Sequence, residues 1–247
     1  MILNYCDPIW VYPKVDPEWH KTIIKEFSIH PVTAYVLASR NFKTLEEIHD
    51  FLYAKLPHLF DPDLFPDMDK AVHRVLQALS EKENILIYGD NDVDGITAAA
   101  LLTEFLRFIG GNVFFYIPNR NSLKQSLILD AIDFALQKEC KLIITVDCGI
   151  TSANEIEEAV KKKIDVIVTD HHEPTAKLPH CIATLNPKLF NSTYPNRNLT
   201  GVGVAFKLAH AITNTLIANG SISPTKIDLK RYLDLVALGT IADMGSL

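Results

Sequence analysis

Three clusters of metal-ligand residues stand at the ends of short apolar runs. Ile85-Leu86-Ile87-Tyr88 leads into Gly89-Asp90-Asn91-Asp92-Val93-Asp94-Gly95. Residues 142–146 lead into Asp147-Cys148-Gly149, and residues 166–169 lead into Asp170-His171-His172. Three carboxylates within five residues repel one another unless a cation joins them. Carboxylates and imidazoles, with no set of thiolates, suit hard or borderline divalent ions such as Mn²⁺ or Mg²⁺. Each cluster also has a plainer reading. The first could be an acidic cap on the following helix. An EF-hand loop is excluded, because its twelfth position is Leu101 and a strand precedes it. Asp147 alone could be a turn former. Two adjacent histidines after an Asp at a strand end are harder to dismiss. The other seven, His20, His30, His49, His58, His73, His180 and His210, lack such a context and read as structural.

The elements that must position these residues alternate. Candidate strands are 85–89, 113–118, 142–147, 166–170 and 182–186. Candidate helices are about 96–109, 126–138, 152–162, 202–218 and 228–240. Ile- and Val-rich strands with helices between them predict a parallel five-stranded sheet flanked by helices, an α/β fold. Ligands of such sheets bind outside the carboxyl ends of the strands, so the three clusters converge on one edge. Residues 1–80 read as a small, mostly helical accessory segment ahead of the 81–247 domain. It carries a Thr44/Glu47 capping box and an amphipathic helix over 67–80. Gly201-Val202-Gly203 opens a late helix and could offer backbone N–H groups to phosphate. Close packing on the sheet explains it equally well. Asp243, after an apolar helix, reads alone as a surface acid.

The 247 residues are 48% hydrophobic and 22% charged, which is globular composition. No apolar run approaches the roughly 20 residues of a bilayer span. Without a signal-peptide pattern or CxxC pair, the four cysteines predict reduced thiols and a cytoplasmic location. The net charge of −6 counts against a broad nucleic-acid-binding face.

Taken together and in order, the segments resemble the DHH phosphoesterase superfamily, named for the tripeptide seen here as Asp170-His171-His172. Tyr88 through Gly95 is similar to its RecJ branch of bacterial 5′→3′ single-strand-specific DNA exonucleases. So are Leu37-Ala38-Ser39-Arg40-Asn41-Phe42, Tyr116-Ile117-Pro118-Asn119-Arg120, Gly201 through Lys207, and Ala237 through Asp243. The resemblance implies a centre of two Mn²⁺ or Mg²⁺ ions with Asp92, Asp94, Asp147, His171 and Asp243 as ligands, Asp147 bridging. Asp90 becomes a further acid of the centre, as a ligand or a catalytic partner. His172 is expected to face the scissile phosphate or to move a proton. Arg120, Gly201 and Gly203 are the expected substrate contacts. The implied reaction is hydrolysis of single-stranded DNA or short oligonucleotides in repair and recombination, alongside single-strand-binding or helicase partners and with no membrane.

Two features depart from the pattern. The family's acid and Gly-Tyr-Gly-Leu after Pro118-Asn119-Arg120 is replaced by residues 121–127, NSLKQSL. The second phosphoesterase-associated (DHHA1-like) domain and OB-like domain of RecJ enzymes are not in these 247 residues. The expectation is a truncated chain that carries the chemistry and holds long strands weakly. The alternatives are a non-catalytic scaffold on the same fold, or a phosphoesterase of small nucleotides.

Overall fold

In the computed structural model, residues 11–40, 42–118 and 127–245 are described, so Cys6, Asn119, Arg120 and the altered loop up to Ser126 lie outside the described residues. Packing divides the chain into two compact units, Met1–Leu59 and Phe60–Leu247. The first holds α1 (Pro17–Phe27), α2 (Pro31–Ser39) and α3 (Leu45–Leu52) around Ile23, Ala34, Leu37 and Ile48. Asp16 caps α1 and Pro17 occupies its first turn, where a missing N–H costs nothing. The Thr44/Glu47 capping box forms at α3.

The second unit begins with α4 (Met68–Ser80), then alternates β1 (Asn84–Gly89), α5 (Val93–Phe108), β2 (Asn112–Tyr116), α6 (Leu127–Gln137), β3 (Cys140–Val146), α7 (Ala153–Lys161), β4 (Asp165–Thr169) and β5 (Ala183–Leu185). It ends with α8 (Gly201–Ala218) and α9 (Leu233–Ala242). All five strands are parallel, in the order β2-β1-β3-β4-β5. Both faces are covered, which is why the strands read as continuous apolar runs. Ile85, Ile87, Leu142, Ile144, Val146 and Ile167 share one core with α4, α5 and α8, whereas Leu86, Tyr88, Ile143, Val166 and Val168 share the other with α6 and α7.

The structure shifts three boundaries. The chain divides at residue 59 rather than 80, because Met68, Ala71, Val72, Val75 and Ala78 of α4 pack into the sheet's core. Arg74 ties α4 down further, with Nη1 2.7 Å from Glu83 and Nε 2.6 Å from Asp165 at the amino ends of β1 and β4. α5 starts at Val93 rather than 96, so Asp92 is its N-cap and Asp94 lies on its first turn. α9 starts at Leu233 rather than 228, since Leu229–Tyr232 forms a separate 3₁₀ turn. α8 is also long and apolar enough to pass for a bilayer span; it is 67% buried and serves as a core helix.

Lys207 is the cation buried in α8. Its Nζ donates to Phe60 O at 2.5 Å and lies 5.8 Å from the Tyr194 ring centroid. Burial pushes its ammonium down to about 8, against the pull of Asp61. Above pH about 10.5 the lysine is neutral folded and unfolded; below about 8 it is charged in both, and the folded chain bears the full cost. Relative to Lys207→Met, the native chain should lose about 3 kcal/mol as pH falls from 10.5 to 8, and no more below that. Urea melts of both proteins at pH 7, 9 and 10.5 measure this. Parallel stability curves would show that burial does not perturb the amine.

Candidate metal centre

The order of the sheet reverses between β1 and β3, and the acids sit at that switch point. The ladder continues one residue past each strand. Asp90 N–H donates to Val146 O at 3.4 Å, Asp147 N–H to Thr169 O at 2.9 Å, and Asp170 N–H to Leu185 O at 3.0 Å. Asp90, Asp147 and Asp170 therefore stand in one row. Asp92 caps α5, its Oδ1 accepting the Gly95 N–H at 2.9 Å. Gly95 is required there, because a Cβ would lie 2.5 Å from Asp90 O.

Asp94 projects from the first turn of α5 and is buried. Its Oδ2 accepts from Gly201 N at 2.6 Å and its Oδ1 from Val202 N at 2.8 Å, the first two amides of α8. The orphan donors of that helix thus serve a protein carboxylate. Gly201 and Gly203, the expected substrate contacts, each have a packing reason as well. The Gly201 amide is taken by Asp94, and a Cβ on Gly201 would come 2.4 Å from Asp147 Oδ1. Gly203 is packed against Leu199, 2.6 Å from where its Cβ would be. Both glycines are there for close approach. Arg120, the third expected contact, lies outside the described residues.

Asp147 adopts a left-handed backbone, φ 60°, which Asp tolerates better than most residues. Thr145 braces the turn by donating from Oγ1 to Cys148 O at 2.8 Å. His171 faces the acids, with Nε2 3.0 Å from Asp147 Oδ1 and 3.8 Å from both Asp94 Oδ2 and Asp243 Oδ2. The 3.0 Å contact lacks hydrogen-bond geometry. Both Asp147 oxygens and His171 Nε2 are buried with no hydrogen-bond partner among the described residues. Ligand atoms lie within 4.8 Å of one another in three overlapping sets: Asp90, Asp92 and Asp147; Asp94, His171 and Asp243; and Asp147, His171 and His172. Asp147 and His171 each belong to two of them.

Buried donors aimed at a common point without partners fit a cation. Burial, with Asp94 and Asp92 nearby, drives the Asp147 carboxyl up to about 10. Burial likewise raises Asp94. Burial first, then the neighbouring His172, lowers His171 and keeps its imidazole neutral, the form that binds a metal. The thiol of Cys148 is pushed well up by burial and by Asp170, which leaves no thiolate in the set.

His172 is held differently. Its Nδ1 lies 2.8 Å from Asp170 Oδ1, which also accepts the backbone N–H groups of His171 and His172. Asp170 Oδ2 accepts from Ile150 N at 2.8 Å. The Asp170 hydrogen bond raises the imidazole to about 9, and the bonds from His172 and Ile150 outweigh burial to lower Asp170. Asn186, fully buried, donates from Nδ2 to His172 O at 2.9 Å. Sequence reasoning assigned no role to Asp170 or Asn186. The available signal was that Asp170 closes a strand as Asp90 and Asp147 do.

The sequence pattern of the DHH family, N-terminal domain, matches residues 84–240. The single-stranded-DNA-specific exonuclease RecJ of Bacillus subtilis is 38% identical over 235 residues, 95% of this chain and 28% of the relative. That of Escherichia coli is 36% identical over 218 residues, 87% of this chain and 37% of the relative. The chain therefore spans roughly a third of the length of these relatives. A crystal structure of exonuclease RecJ bound to manganese superposes with a TM-score of 0.64 at 31% identity, covering 76% of this chain and 46% of that one. RecJ from Thermus thermophilus in complex with Mn²⁺ gives a TM-score of 0.71 at 27% identity, covering 94% and 32%. With the family pattern running from the first strand into α9, and with the acids and histidines of its motifs gathered at one sheet edge, this chain belongs to the DHH family.

Proposed function

We propose that this chain is the catalytic portion of a metal-dependent phosphodiesterase that hydrolyses single-stranded DNA from its 5′ end. The observation that carries this reading is the partnerless buried set of Asp147 and His171, whose donors suit Mn²⁺ or Mg²⁺. Asp90, Asp92 and Asp147 would hold one ion. Asp94, His171 and Asp243 would hold the other, and Asp147, 3.0 Å from His171 Nε2, is the carboxylate placed to bridge them. The complete donor set favours an enzyme over a scaffold on the same fold. When bound, two such ions polarise the phosphoryl group and activate water at neutral pH.

The protein's own groups divide the remaining work. Asp170 fixes the tautomer and orientation of His172 through Nδ1, leaving Nε2 to meet the scissile phosphate or to pass a proton to the leaving oxygen. The α8 amides hold the Asp94 carboxylate in place. The likeness to RecJ supports single-stranded DNA as substrate and a cytoplasmic setting.

Because an ion that binds only the folded state stabilises it by mass action, Mn²⁺ at a hundredfold excess over its Kd should add about 3 kcal/mol, or roughly 5–10 °C in Tm. Calorimetry in EDTA and in millimolar Mn²⁺ measures it, and coincident melts would count against a formed centre. Asp147→Ala should abolish both the Mn²⁺ response and turnover. His172→Ala should lower turnover by about 10²-fold or more and keep most of the Mn²⁺ response. Equal metal loss in the two variants would mean that His172 is a ligand.

A net charge of −6 leaves few cations to neutralise a long polyanion. Residues 1–247 alone should therefore cut short oligonucleotides slowly and distributively, with weak binding to longer strands that falls steeply with salt. Single-turnover cleavage of 5′-labelled strands in Mn²⁺, with product lengths read on a gel, tests this. Tight, processive degradation of long strands would show that the strand-tracking groove lies within these residues.

A further inference from the structure

Asp243 reaches the centre by a different route from the other donors. Asp90, Asp92, Asp94, Asp147 and His171 follow β1, β3 and β4 directly, within five residues of a strand end. Asp243 stands at the C-terminal cap of α9, which is not part of the sheet. A helix C-terminus disfavours a carboxylate, so this position does nothing for α9 itself. Its Oδ2 is nonetheless within 3.8 Å of His171 Nε2.

α9 is apolar all round, yet Leu238 is 55% exposed and Ile241 63% exposed. Gly239 is its one fully buried residue. A Cβ on Gly239 would meet Thr97 Oγ1 at 2.5 Å, Asp94 Oδ1 at 2.8 Å and Val202 Cγ1 at 2.8 Å. The helix backbone therefore lies directly on a ligand carboxylate and on the first turns of α5 and α8. Asp243 is four residues further on, so it projects from the same helix face, and its N–H closes the last turn on Gly239 O at 2.9 Å. One residue along, the Thr240 and Thr200 hydroxyls sit 3.1 Å apart and pin α9 to the N-cap of α8.

We propose that Gly239 is a positioning residue for the second metal ion, the one held by Asp94, His171 and Asp243. Its missing side chain sets the depth at which α9 seats, and that depth brings Asp243 into reach. The inference rests on the two-ion reading above. An added methyl would meet three short side chains, Thr97, Asp94 and Val202, none of which is a flexible chain end, and Asp94 is held in place by the α8 amides. α9 must lift, and Asp243 lifts with it.

The test is Mn²⁺ binding by calorimetry, with electron paramagnetic resonance to count bound ions. The native chain should bind two. Gly239→Ala should keep one ion within about threefold of the native affinity and weaken the other at least tenfold, as Asp243→Ala does, whereas Asp147→Ala should weaken both. The selective loss of one ion is the signature that general destabilisation would not produce. Thr240→Val adds no bulk at the contact and covers the case in which Gly239→Ala does not fold in EDTA. It should weaken the same ion about threefold. Two native-like ions in whichever of these variants folds, or equal weakening of both, would overturn the positioning role. Fewer than two ions in the native chain would overturn the two-metal reading itself, and the inference with it.

Discussion

A carboxylate with no hydrogen-bond partner, buried at the end of the central strand, is the constraint around which this fold is arranged. Asp147 is only 1% exposed, and both its oxygens lack donors. In an ordinary core such a group would be neutralised or replaced, because unpaired buried charge costs several kcal/mol. Here the surroundings enforce the burial. The left-handed turn at Asp147 closes the strand, Gly201 leaves room for the carboxylate, and His171 covers it from β4. The cost becomes tolerable once a divalent cation completes the set, so affinity for the ion and instability without it have the same origin.

The neighbouring acids show how finely the environment separates similar groups. Asp94 is as buried as Asp147 but is met by two helix amides. Asp170, in the same row of strand ends, is fully satisfied by a backbone amide and the His171-His172 segment. Three Asp residues in comparable positions thus become a partnerless buried carboxylate, a carboxylate anchored on a helix N-terminus, and an orienting group for an imidazole. Chemical type selects none of these roles; the number of N–H groups pointing at each carboxylate does.

That distinction marks the limit of what the sequence could reveal. Runs such as residues 142–146 announce buried parallel strands because both faces are covered, and the topological rule for open sheets then places the acid clusters on one edge. Periodicity also locates α7 and α8 to within a residue or so. What it cannot show is which donor meets which acceptor across about a hundred residues of chain. The glycines at 201 and 203 looked like a phosphate-binding turn because that turn and a tight helix–strand contact use the same residue for different reasons. The start of α5 was read late because Val93 through Gly95 carries no apolar stripe; the helix begins on its capping carboxylate instead. α4 reads as part of the accessory segment because an amphipathic face says that something covers it, not what.

The centre is also drawn from widely separated parts of the chain, from Asp90 to Asp243. A ribosome making this protein releases the β1 and β3 acids well before the last donor. At about 5–20 residues per second, the roughly one hundred residues between Asp147 and Asp243 take about 5–20 s to appear. The set of Asp90, Asp92 and Asp147 can gather during that interval, while the set that includes Asp243 cannot. A nascent chain therefore lacks the Asp243 carboxylate at this sheet edge until α9 has emerged and settled.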